Sequence, residues 1–103
     1  MATKQDIQLV DAQRMHQEHP KTFFVPGTSA LKGLQPGDYV KIGFKHPFPD
    51  PHGPDTERMW VCLTQVNPDG TLIGVLDNDP SLLRYVLRHG DVVHATINNV
   101  MLW

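Results

Sequence analysis

His46, Asp50 and His52 share one proline-rich stretch, and imidazole and carboxylate ligands held by a stiffened loop are what a zinc-type metal site requires. A site of that kind also needs a third or fourth converging ligand and groups behind it that orient the imidazoles. His16 and His19 stand three apart in a predicted helix but lack a local third partner. No CxxC or HExxH spacing occurs, so solvated loop histidines are the simpler reading of all these residues. His46, Asp50 and His52 remain the only metal candidates, and no cofactor is expected. A metal-assisted hydrolase built on that loop is one alternative function.

Nucleophilic chemistry has less support. Cys62 lies between Val61 and Leu63 in a predicted strand, where a thiol serves as a small core side chain. Ser29 and Ser81 stand near predicted helix starts, where capping explains a hydroxyl. Asp77 and Asp79 flank Asn78 just before a predicted helix. Carboxylates there satisfy free N–H groups and the helix dipole, so they are read as caps with a secondary binding role. Tyr39, Lys41 and Lys45 alternate along one strand face, and Arg84 and Arg88 stand four apart on the last predicted helix. The first set defines a second alternative, a single-stranded nucleic-acid binder. With 9 basic and 11 acidic residues and a net charge of −2, the chain has no global field that gathers polyanions, which disfavours nucleic acid.

The elements that must position these residues follow from periodicity and turn chemistry. A helix is predicted from Asp6 to about Glu18, ended by Pro20. Thr22 to Val25 is a short β-prone run, and Thr28 or Ser29 caps a helical turn carrying Ala30, Leu31 and Leu34. From Asp38 the apolar period becomes two, with Val40, Ile42 and Phe44 on one face. Pro47, Pro49, Pro51 and Pro54 exclude His46 to Glu57 from a sheet. Arg58 to Val66 carries apolar residues on both faces and is predicted to be a central strand covered on both sides. Asn67-Pro68-Asp69-Gly70 is the turn of a hairpin whose second arm is Thr71 to Leu76. Asp79-Pro80 opens a predicted helix that Gly90 stops, and Asp91 to Ile97 is a last strand.

The apolar tail Val100-Met101-Leu102-Trp103 either folds back onto the core or forms a contact patch, with Trp103 as its anchor. The chain's 103 residues make one domain: an N-terminal helix over 1–18, a core over 19–97 and the tail over 98–103. Strands not linked by crossover helices predict an α+β fold, with a small, strongly bent, mostly antiparallel, half-barrel-like sheet and two or three helices. A single cysteine excludes an internal disulfide and suits a reducing compartment. No basic stretch followed by an apolar run opens the chain, and no run reaches the ~20 apolar residues of a membrane span. The expectation is a cytoplasmic protein.

Pro36-Gly37-Asp38-Tyr39-Val40-Lys41, Glu57-Arg58-Met59-Trp60-Val61 and Gly74-Val75-Leu76-Asp77-Asn78-Asp79-Pro80, in that order, resemble the short bacterial proteins grouped as domain of unknown function 2314. His19-Pro20-Lys21-Thr22-Phe23 and Gly90-Asp91 belong to the same likeness, which spans about residues 19 to 97. Two features depart from it: a longer proline-rich loop, and a helix-like stretch after Pro80 in place of an extended one. The resemblance implies no activity. Its shared residues have structural jobs, which favours a noncatalytic protein-interaction module over an enzyme, an immunity-like or accessory factor that binds a protein partner or itself.

Overall fold

The computed structural model describes residues 7–47 and 55–102. Five strands form one sheet: β1 (Tyr39–Lys45), β2 (Thr56–Val66), β3 (Thr71–Leu76), β4 (Val92–Thr96) and β5 (Val100–Leu102). Their order is β4-β3-β2-β1-β5, and every pairing is antiparallel. Two short helices, α1 (Ala12–Glu18) and α2 (Thr28–Lys32), complete an α+β fold. Asp50, His52 and Trp103, with the start of the predicted first helix at Asp6, lie outside the described residues.

The sheet is strongly curled. β4 and β5 occupy opposite edges, yet only the 3-10 turn Ile97–Asn99 joins them. In a flat sheet those edges would stand roughly 19 Å apart, at ~4.8 Å per strand. Three 3-10 residues advance only ~6 Å, so the edges must curl toward one another. They do not pair, and the barrel stays open.

Alternation sorts the strand residues onto two faces. Val40, Ile42, Phe44, Met59, Val61, Leu63, Leu72, Leu76 and Val93 fill the concave interior, with Leu31, Leu34, Leu83 and Leu87 packed over them. Val10, Ala12 and Met101 form a second cluster, which packs Met15, Phe23 and Val25. Gly43 makes room for it: a Cβ there would stand 2.6 Å from Met101 Cε and 2.9 Å from Val10 Cγ2. Val100 and Met101 are therefore core, both being buried, and β5 pairs with β1. The contact-patch reading of the tail is overturned for Val100 and Met101.

Several local expectations are also corrected: Thr56 and Glu57, assigned to the proline-rich stretch outside the sheet, open β2 opposite Lys45 and Phe44. The first helix begins only at Ala12, where the Asp11 side chain accepts the Arg14 N–H. Gln8–Val10 are extended instead: Val10 N–H donates to Gly43 O, and Lys45 N–H to Gln8 O. Between them, Gln8–Val10 and β5 take up the free side of β1, so Thr22 to Val25 finds no strand to pair with there and forms none. α2 is preceded by Gly27, which supplies no side-chain cap, rather than by a Thr28 or Ser29 cap.

The largest correction concerns the helix predicted from Asp79. Residues 81–90 form turns, with one helical hydrogen bond from Leu87 N–H to Leu83 O. Glu57 of β2 intervenes, its carboxylate accepting the N–H groups of Ser81 (2.7 Å) and Leu83 (2.9 Å). Leu83 and Leu87 are thus drawn onto the core while Arg84 and Tyr85 stay exposed. Nor is β2 covered on both sides: Met59, Val61 and Leu63 are buried, but Trp60 and Cys62 are half-buried and Arg58 is exposed.

Candidate functional site on the outer face of the sheet

The positions that alternate with the core residues make the outer face. Tyr39 opposes Cys62, Cys62 opposes Val75, and Val75 opposes Val92, so one row crosses four strands. Its ends are the most open, Tyr39 being 50% and Val92 62% exposed. α1 packs further along the face, against Val10 and Met101, which stand over Gly43.

Charged groups flank the row. Lys41 opposes Trp60, with its Nζ 5.3 Å from the ring centroid, a cation–π distance. The Trp60 N–H donates to Asn78 Oδ1 at 2.7 Å, and the Trp60 carbonyl accepts from Asp77 N–H at 2.9 Å. These bonds carry the β2–β3 ladder past the end of β3 and place Asp77 beside Trp60. Asp77 Oδ1 in turn accepts from His89 Nε2 at 2.9 Å. Negative charge on the neighbouring Cys62 side chain, and then on Asp77, raises the Tyr39 pKa above its ordinary value near 10. Its hydroxyl is therefore a hydrogen-bond donor at neutral pH.

The residues singled out in the sequence are partly reunited here. Tyr39, Lys41 and Asp77 come to one region of the outer face. Lys45 shares the face but is separated from Lys41 by Gly43, beneath Met101 and Val10, so the three β1 residues form no continuous strip. Asp79 is exposed and caps no helix. His16 is occupied by the Phe23 carbonyl at 2.6 Å. Among the described residues no three His, Cys, Asp or Glu side chains are grouped to hold a metal ion. His89 bonds Asp77, and no hydrogen bond among the described residues joins it to Cys62, so a thiol–imidazole pair is not formed. Val75, Val92 and His89 carry no site signal of their own in the sequence, and Trp60 reads there as core. For Trp60, Val75 and Val92 the signal is the period-two remainder of three strands, legible only once the buried face is known, while His89 lies in the turn before β4.

No family model, no curated protein and no solved structure matches the chain. Among the described residues no helix is long and apolar enough to cross a membrane.

Proposed function

We propose that this protein is a noncatalytic interaction module, an immunity-like or accessory factor, that binds a protein partner through the outer face of its sheet. One observation carries the reading: the row Tyr39, Cys62, Val75 and Val92 is left uncovered on four adjacent strands. Apolar and aromatic surface at the centre, with charges of both signs around it, is the composition of a protein interface. Tyr39 is the anchor, since a rigid ring with a polar tip adds contact area at small entropic cost. Lys41, Asp77 and His89 form the rim.

A photo-crosslinking residue placed at Val92 in the native host tests this. The expected result is a discrete adduct that Tyr39→Asp removes and that a crosslinker at the exposed Arg84 does not give. Adducts of equal yield from both positions, or indifference to Tyr39→Asp, would sink the reading.

A further inference from the structure

Among the described residues, the open side of the curled sheet is a gap between two walls. β4 forms one wall, and the extended segment Gln8–Val10, paired to β1, forms the other. Leu76 N–H donates to Asp91 O, so Asp91, Val93 and Ala95 face β3, while Val92, His94 and Thr96 turn their N–H and C=O groups away from it. On the opposite wall Gln8 O and Val10 N–H are engaged by β1, which turns the backbone groups of Leu9 into the gap. Among the described residues no backbone hydrogen bond crosses from one wall to the other.

Strand direction explains why the gap cannot close on itself. β4 is antiparallel to β3, and Gln8–Val10 is antiparallel to β1. Counting along the alternating sheet, both walls run the same way. Direct closure would force a parallel pair into an otherwise antiparallel sheet, whereas one strand running the other way is antiparallel to both walls.

At the narrow end the Asn99 side chain ties β4 to the segment on the other wall. Its Oδ1 accepts the Thr96 N–H of β4 at 2.9 Å, and its Nδ2 donates to Val10 O at 3.0 Å. Beyond Asn99, toward Val92, the gap opens into a mainly apolar cleft of about 400 Å³ lined by Ile7, Leu9, Phe44, Leu87, Val92 and Val93, and by His94. β4 carries no lysine, proline or bulge of the kind that blunts exposed edges.

We infer that this gap receives an extended segment of the partner protein, inserted antiparallel to β4 and to Gln8–Val10, with alternate apolar side chains in the cleft. Backbone pairing supplies affinity and the cleft supplies sequence preference, as in other strand-addition complexes. The inference rests on the protein-binding reading above and adds the mode and the chemistry of the ligand.

A phage-displayed library of random heptapeptides, panned on the full chain, is the probe. Enriched peptides are expected to alternate apolar and polar residues. His94→Ala, which trims a side chain lining the cleft but keeps the backbone N–H, should weaken their binding by no more than about threefold. His94→Pro, which deletes one gap-facing N–H and none of the β3 ladder, should weaken it at least roughly tenfold. Methylating alternate backbone nitrogens of the peptide should produce the same loss with the protein unaltered, so the outcome does not depend on the proline variant folding. No enrichment, enrichment without alternation, or indifference to N-methylation overturns the inference. Binding lost in Tyr39→Ala yet indifferent to His94→Pro and N-methylation also overturns it, and leaves the outer-face reading standing. Self-association that His94→Pro abolishes would assign the gap to a second copy of this chain, and would equally overturn it.

Discussion

The Glu57 carboxylate accepts the backbone N–H of Leu83 at 2.9 Å across 26 positions of sequence. Its other oxygen accepts from Ser81 at 2.7 Å, so one side chain of β2 fixes the course of the whole 81–87 turn over the core. Hydrogen bonds to an ionised acceptor contribute ~1.5–3 kcal/mol each, more than the neutral kind. Glu57→Ala is expected to destabilise the fold by about 2 kcal/mol and Glu57→Gln by about half that, measured by urea unfolding. Amide exchange should quicken at Leu83 and Leu87 first. Equal stability of wild type and Glu57→Ala would mean that the turn holds itself.

β2 offers a test of which face is core. Met59 is fully buried, while Trp60 is only half-buried on the open face. Met59→Ala should cost about 2–5 kcal/mol, and Trp60→Ala less despite the larger side chain. Thermal melts that reverse this order would reverse the two faces.

Two glycines are predicted to differ in how they tolerate a methyl group. At Gly74 a Cβ would stand 2.6 Å from the backbone carbonyl oxygen of Cys62, which the β2–β3 ladder holds in place. At Gly43 the nearest atom is the flexible end of Met101. Gly74→Ala should therefore destabilise by about 3 kcal/mol and Gly43→Ala by about 1–2 kcal/mol. A chemical denaturation series on the two variants decides it.

Removing residues 100–103 should lower stability by about 3 kcal/mol or more, because Val100 and Met101 are 0% and 4% exposed. Sedimentation should show the same mass before and after truncation. Full stability combined with a change of mass would return the tail to the surface.

The β2–β3 turn makes a pH prediction. Asp69 accepts the Thr71 hydroxyl at 2.7 Å and the Thr71 N–H at 3.0 Å, and these bonds hold its pKa below the usual carboxylate value. A carboxyl whose folded pKa is depressed contributes stability that is present above its unfolded pKa and lost as pH falls through the folded one. The Tm gap between wild type and Asp69→Ala should thus be constant near neutrality and shrink below about pH 4. A gap that persists into strong acid would assign the effect to packing rather than to charge.

Elements that depend on neighbours in sequence are legible from the residues alone. The alternation of Val40, Ile42 and Phe44, the Asn67–Gly70 turn and the hairpin it joins all form as expected, because pleat and turn geometry act within a few residues. The antiparallel α+β class follows from the same local signals. The expectations that fail are decided at a distance. The run from Asp79 has the cap, the proline and the stripe of a helix, yet Glu57, far away in sequence, takes the Leu83 N–H that a helix would direct to the Asp79 carbonyl, and the core takes Leu83 and Leu87. The run from Thr22 has strand propensity but meets a β1 side already occupied by Gln8–Val10 and β5. Of the candidate site, Tyr39, Lys41 and Asp77 are visible in the sequence as residue types. Their company with Trp60, Val75, Val92 and His89, and the gap bridged by Asn99, exist only once register and curl are set. Propensity weighs each residue against its immediate neighbours, whereas the occupancy of a sheet edge or the reach of a distant carboxylate is set by the whole fold.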